Sequence, residues 1–338
     1  MAVRMKDIAR DLGLSVVTVS KVLRDHPDIG PETRERVLKR MKELNYRPNL
    51  AARALVTGRS HIVGLVVPDL LHPFFAEVAK GLSSVFHTKG YNLVISSSEE
   101  DAELEQQEIE QLLARQVDAV LVASSQWSVE SFRRIEEQKT PYILIDRKFA
   151  GLRSNFVGVD DERVGALATE HLIEVGCRTI AHVGGPQVST AVGRLFGYRH
   201  ALMRRGVAVS PDYIVEREQR ATDASGYQAM VQLLGLDPRP DGVFCYNDPT
   251  AIGVMKAILD AGLRIPEDVA VVGCGNARYA DFLRVPLTSV DQQSEAIGDR
   301  AARLALSVIE AKTPQRPATV LLEPRLIVRE SSRRPKPA

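Results

Sequence analysis

The amino-acid sequence predicts an α/β protein in two parts: an all-helical head of about sixty residues and a body of two doubly wound lobes. Three observations carry this expectation. Before residue 60 the apolar residues recur at helical spacing. From residue 61 onward, β-branched apolar runs alternate with amphipathic stretches, the pattern of parallel sheets covered by helices. Charge is also segregated. Residues 1–60 hold 13 Lys and Arg against 7 Asp and Glu, whereas the rest holds 31 against 36. The net charge of +1 is therefore the sum of a basic head and a mildly acidic body. At roughly 100–200 residues per domain, the length allows two or three compact units. A hydrophobic share of 44% and a charged share of 26% exclude a disordered or fibrous chain.

In the head, Met5, Ile8, Ala9 and Leu12 stand at i, i+3, i+4 and i+7, one apolar face of a short helix. Gly13 ends it, because glycine readily takes the left-handed backbone geometry of a helix C-terminus. Ser15 is an N-cap for a second helix over 16–23. Asp25-His26-Pro27-Asp28 interrupts the pattern, and Pro31 opens a third helix with Val37, Met41 and Leu44 on one face. Residues 46–60 form a linker with two readings. It is either flexible, or it folds only when something supports it, since two isolated helical turns over 49–56 are marginal in water.

In the body, apolar runs at 62–67, 93–95, 119–122, 142–145, 156–159, 179–183, 243–245 and 269–273 predict strands. Stretches at 75–86, 104–115, 164–175, 226–234 and 251–261 predict intervening helices. So many strands are more easily placed in two lobes than in one. The tail, 333–337, is expected to fray.

Several function classes lose support. The first residues carry charge and no apolar stretch of a signal peptide, and no run approaches the roughly 18 apolar residues of a membrane span. Cys177, Cys245 and Cys274 are far apart and odd in number, so no disulfide framework is expected. Neither CxxC nor HExxH occurs, and no metal or cofactor is expected. The expectation is a reduced, cytosolic protein. Gly273-Cys274-Gly275 follows a strand, but Arg278 stands where a dinucleotide fingerprint needs its third glycine. Gly184-Gly185-Pro186 also follows a strand, yet the proline lacks the N–H an anion-binding turn uses. With no GxxxxGK[ST] loop and no GxSxG elbow, no catalytic residue is assigned and no enzyme is expected.

The head is more informative. A helix ending at Gly13 and a capped second helix have the layout of a helix-turn-helix, whose second helix enters the DNA major groove. Val19, Val22 and Leu23 would face the core. Val16 and Val17 have two readings: packed inside the small bundle, or exposed and suited to thymine methyl groups. Lys21, one turn on, could donate to guanine.

The segment 5–55 resembles the DNA-binding head of the lactose-repressor (LacI/GalR) family of bacterial transcription regulators. The resemblance rests on Asp7-Ile8-Ala9, Ser15, Thr18-Val19-Ser20, Val22, Thr33-Arg34, Val37, Leu44-Asn45-Tyr46, Pro48-Asn49 and Ala52-Arg53-x-Leu55. It continues through Gly64-Leu65-Val66-Val67-Pro68, Phe74-Phe75-Ala76-Glu77, Gly193-Arg194, Gly197-Tyr198, Asn247-Asp248, Val271-Val272-Gly273 and Leu287-Thr288-Ser289-Val290, covering nearly the whole chain.

The resemblance implies a helix-turn-helix domain at 1–47, a hinge helix at 48–60, and a periplasmic-binding-protein-like body at 61–330. The N-lobe would span about 61–160 and 291–321, and the C-lobe about 162–290 and 323–330. It implies a homodimer on a pseudo-palindromic operator in double-stranded DNA, cytoplasmic and nucleoid-associated, repressing rather than activating. A small, sugar-like effector would bind between the lobes. By match to the family, Val16, Val17 and Lys21 read bases, while Ser15, Thr18, Ser20, Thr33, Tyr46 and Asn49 contact phosphates. Ala52, Arg53 and Leu55 belong to the hinge, with Leu55 a minor-groove wedge. The effector set is Phe74, Phe75, Asp146, Arg194, Asn247, Asp248, Asn276 and Gln292. Two of these have plainer readings, Phe75 as core and Arg194 as a brace of its own helix. Gly275 departs from the pattern, standing where many sugar-responsive relatives have an aspartate. That suits a bulkier or differently oriented ligand, or a cleft that no longer takes a sugar. The alternatives are a free ligand-binding protein and a two-lobed enzyme.

Overall fold

The computed structural model describes residues 3–23, 26–46, 58–126, 129–216, 221–313 and 315–334. Asn49, Ala52, Arg53 and Leu55, and with them the expected hinge helix, lie outside the described residues. The chain forms two compact units, Met1–Ser60 and His61–Ala338.

The first unit holds three helices, α1 (Met5–Leu12), α2 (Val16–Leu23) and α3 (Pro31–Glu43). The α1 periodicity buries Ile8 and Ala9 against Val19 and Val22 of α2 and Val37 of α3, with Leu12, Met41, Leu44 and Tyr46 at the edge. Leu23, expected to face the core, is only half-buried. Gly13 has φ 65, the left-handed geometry that ends α1. The Thr18 N–H donates to Ser15 Oγ at 3.0 Å, so Ser15 caps α2. On the flank Arg40 binds Asp11, with Nη2 2.6 Å from Oδ2, joining α3 to α1.

The second unit contains two six-stranded sheets. The first runs β1 (Ile62–Val67), β2 (Asn92–Ser97), β3 (Ala119–Val122), β4 (Tyr142–Ile145), β5 (Asn155–Val159) and β11 (Thr319–Leu322), in spatial order β11-β5-β4-β3-β1-β2. The second contains β6 (Ile180–Val183), β7 (Ile214–Val215), β8 (Gly242–Cys245), β9 (Ala270–Cys274), β10 (Thr288–Asp291) and β12 (Arg325–Ile327), in order β12-β10-β9-β8-β6-β7. All pairings are parallel except β10 with β12. Central strands such as β3 and β8 are buried along their whole length, which is why they read as unbroken apolar runs. The chain changes sheets after β5, after β10 and between β11 and β12.

The helices of this unit are α4 (Pro73–Thr88), α5 (Ala102–Ala114), α6 (Glu130–Glu137), α7 (Asp161–Glu174), α8 (Ser189–Arg204), α9 (Asp223–Leu234), α10 (Asp248–Asp260) and α11 (Ser294–Glu310). α8 was not singled out from the sequence, because Gly193 and Gly197 interrupt its pattern. Their reason is packing. A Cβ at Gly197 would lie 2.0 Å from the Glu162 carbonyl oxygen, so glycine lets α8 and α7 touch backbone to backbone. Of the tail expected to fray, residues 335–337 lie outside the described residues, and Arg333 and Arg334 are held in place. Ser331 and Ser332 are buried, and the Arg334 guanidinium donates to Asp241 O at 2.6 Å and Pro266 O at 2.8 Å.

Candidate functional site

The head presents one face of α2. Val16 is 46% exposed and Val17 61%, while Val19 and Val22 of the same helix are buried. The reading that packs both valines inside the bundle is thereby excluded: the five-residue core is complete without them. Ser15 is exposed, and Thr18, Ser20, Lys21, Thr33 and Tyr46 are partly exposed. Ser15 Oγ also lies 2.9 Å from Thr18 Oγ1. The Lys21 ammonium is bound to the Asp28 carboxylate, which also receives His26. That hydrogen bond holds Asp28 below the usual carboxylate range. The Asp28 bond orients the ammonium and uses one of its three N–H donors.

In the second unit the strand ends of the two sheets enclose a cavity of about 40 Å³. Asp69 and His72 follow β1, Glu100 follows β2, Asp146 and Arg147 follow β4, Tyr246 and Asn247 follow β8, and Gln292 follows β10. Carboxyl ends of parallel strands are where open α/β sheets bind ligands.

Six of the eight expected effector residues line it: Phe74, Phe75, Asp146, Arg194, Asn247 and Gln292. Phe74 and Phe75 are at once lining and core, edge to face with centroids 5.1 Å apart. Arg194 both lines the cavity and braces α8. Its Nε donates to Asp161 Oδ1 at 3.0 Å, its Nη1 to Tyr246 O at 2.7 Å, and its guanidinium lies 4.7 Å from the Tyr246 ring centroid. Burial pushes the Asp161 and Asp146 carboxyls up, and the neighbouring arginines offset only part of that rise. Gln292 Nε2 reaches Asp146 Oδ1 at 3.5 Å.

Asp248 and Asn276 are not brought to the cavity. Asp248 is buried beneath β9, accepting from Ser289 Oγ at 2.6 Å and from Ala277 N at 2.7 Å. Burial raises it to about 6 even though those two donors act to lower it. Asn276 Oδ1 accepts from Arg329 Nη2 at 2.8 Å, and its N–H donates to Ser289 Oγ. Gly275 has φ 127, a geometry that strains any other residue, and Asp248 Oδ2 lies 3.5 Å from where its Cβ would be. An aspartate at 275 would meet that buried carboxylate.

Sequence reasoning missed the charged pair that fills the cleft. Arg147 Nη1 and Nη2 both donate to Glu100 at 2.8 Å, a bidentate pair, and Nη1 also reaches Ser124 O. His72 was missed as well. Its Nε2 accepts from Asn247 Nδ2 at 3.1 Å, and burial, with the Arg147 charge, lowers it to about 4. The available signal was position: Arg147, Tyr246 and His72 all follow the ends of parallel strands.

Residues 4–49 match the model of the bacterial regulatory proteins of the lacI family, and residues 169–332 match that of a periplasmic binding protein-like domain. The ribose operon repressor of Halalkalibacterium halodurans is 33% identical over 333 residues, 97% of each chain. A solved complex of the transcriptional regulator CelR with cellobiose is 32% identical, with a TM-score of 0.75 over 97% of this chain and 99% of that one. The Lac repressor dimer bound to operator and the anti-inducer ONPF has a TM-score of 0.87 at 25% identity, over 98% and 99%. No helix among the described residues is long and apolar enough to cross a membrane, and no cluster of metal-ligating side chains occurs among them.

Proposed function

The chain belongs to the lacI family of bacterial regulatory proteins, and on that premise we propose a homodimeric repressor of a pseudo-palindromic operator, released or engaged by a small effector held between its lobes. It is a DNA-binding transcriptional regulator and not an enzyme. The observation that carries the reading is the exposed pair Val16 and Val17 at the start of α2, where every other valine of the helix is buried. Apolar side chains there suit thymine methyl groups, and Lys21 one turn later supplies a donor. Ser15, Thr18, Ser20, Thr33 and Tyr46 take the phosphate-contacting roles, joined by Asn49. Residues 48–60 act as the hinge, with Ala52 and Arg53 in its helix and Leu55 as the minor-groove wedge.

For the effector we take Phe74, Phe75, Asp146, Arg194, Asn247 and Gln292 as the contact set, with Arg147 and His72 added. Asp248 and Asn276 support the C-lobe behind them. The cellobiose held by CelR favours a sugar-like effector. A cavity of about 40 Å³ is too small for a sugar ring, so binding requires the lobes to part. An effector shifts the balance only by binding one lobe arrangement better than the other. Operator selection from random duplexes, followed by a thermal-shift screen against sugars, sugar acids, polyols and nucleobases, tests both halves. A ligand that binds only the folded state raises the melting temperature. Failure to enrich any duplex would remove the regulator reading, and failure of every ligand class would remove the effector.

A further inference from the structure

A second pocket of about 300 Å³ lies on the flank of the C-lobe, between the end of β6 and α8. It is lined by Ala191, Val192, Leu195 and Phe196 together with Gln187, Arg199, Glu216 and His182. His182 and Gly184 are two apart along β6 and its exit, so they face the same side. Gly184 has no side chain, and the pocket opens where one would stand. A Cβ there would lie 3.6 Å from His182 Nε2.

The histidine defines what the pocket can accept. Tyr198 and Phe244 stack beside the His182 ring, with centroids 5.3 and 4.8 Å away. Its Nδ1 lies 3.1 Å from the Phe244 carbonyl oxygen, which can only accept, so Nδ1 carries the proton. Burial pushes the ring down to about 4, so it is neutral near pH 7. Nε2 is then a lone-pair acceptor. It is buried and has no hydrogen-bond partner among the described residues. A ligand that meets Nε2 must therefore bring a donor. The apolar part of the lining is supplied by α8, on which Val192 and Phe196 are exposed to solvent, while Gln187, Arg199 and Glu216 add polar groups.

We propose that this pocket is a second ligand site, distinct from the inter-lobe cleft, for a small aromatic alcohol of the phenol class. Its hydroxyl donates to His182 Nε2 and its ring packs against Val192, Leu195 and Phe196. A phenolic O–H is the better match than an aliphatic one, being the stronger donor on a flat apolar body. The site shares α8 with the cleft, since Arg194 on the same helix lines the cleft. A buried acceptor should discriminate strongly against an isostere that lacks the donor.

The test is a ¹⁹F NMR titration of the full chain with 4-fluorophenol and with fluorobenzene. Saturable 4-fluorophenol binding is expected, with fluorobenzene at least tenfold weaker. Gly184→Ala places a methyl group at ordinary contact distance over Nε2 and should abolish binding while leaving the melting temperature near that of the parent. Val192→Arg, at an exposed lining position, should weaken binding at least tenfold without touching the core. Neither residue lines the cleft, so loss in both assigns the ligand to this pocket. Equal affinity for the two probes, binding that survives both substitutions, or no saturable binding at millimolar probe would each overturn the proposal.

Discussion

Asn247 Nδ2 donates to His72 Nε2 at 3.1 Å, tying the C-lobe to the N-lobe across the cleft. The same amide donates to Ala221 O at 3.1 Å, and its Oδ1 accepts from Thr250 N at 2.9 Å, capping α10. Asn247 therefore fixes a helix and closes the cleft at once. Removing it costs the cap, about 1 kcal/mol, in addition to the latch. His72→Phe removes only the latch. A double-mutant cycle with Asn247→Ala, read by urea unfolding, should give a coupling of about 0.5–1.5 kcal/mol. Strict additivity would mean the cross-lobe bond contributes nothing.

Acid should weaken the body through its buried histidines. His72 and His182 are each lowered to about 4 from an unperturbed 6.5. Between those values the unfolded chain binds protons that the folded chain refuses, so stability falls as pH drops from about 6.5 toward 4. Asp161 and Asp248, raised by burial, act in the opposite sense, so the informative quantity is a difference. His182→Phe should reduce the loss between pH 6.5 and 5 by about 2 kcal/mol relative to the parent. Identical pH profiles by urea unfolding would remove His182 from the account.

Lys21→Ala should relax preference at one operator position at a cost of about 1–3 kcal/mol. Because Lys21 is partly exposed and engages Asp28 rather than the core, the head should melt nearly as before. Selection from randomised duplexes reads the first effect and thermal denaturation the second. An unchanged base preference would show that Lys21 does not read DNA.

Arg194→Met leaves Asp161 buried without its cation, which typically costs about 3–5 kcal/mol. Arg194→Lys restores charge but not the planar fork that reaches Asp161 and Tyr246 O together, so rescue should be partial. Melting temperatures of both variants, with and without a ligand from the screen, check this. Parent-like stability in Arg194→Met would mean that the ion pair is not what holds α8 to α7.

Leu55→Ala should weaken operator binding far more than non-specific binding, since a wedge acts only where the duplex is kinked. Competition titrations against operator and random DNA measure the two. Equal losses would sink the wedge.

Much of the fold was legible in the sequence because buried parallel strands write themselves as apolar runs. What was missed has physical causes. β11 is an edge strand with alternating exposure, and α8 carries glycines required by its contact with α7. In the head, periodicity alone left Val16 and Val17 open between core and surface. Only packing decided it, since Val19 and Val22 already fill the space against Ile8 and Val37. In the cleft, family resemblance found Arg194 and Asp146 but not the Glu100–Arg147 pair. Nothing in the spacing of residues 100 and 147 announces that two strand ends meet. Asp248 shows the converse, a site-like residue in sequence that folds inward to hold Ser289 and Ala277.

The most direct measurement is a fluorescence-anisotropy titration of the full chain with its selected duplex and with a scrambled duplex, across a salt series. The selected duplex should bind at least about 10³-fold more tightly. Its affinity should fall steeply and linearly on logarithmic salt axes as phosphate contacts are screened. Equal affinity for the two duplexes, or binding indifferent to salt, would contradict a sequence-reading head on this chain.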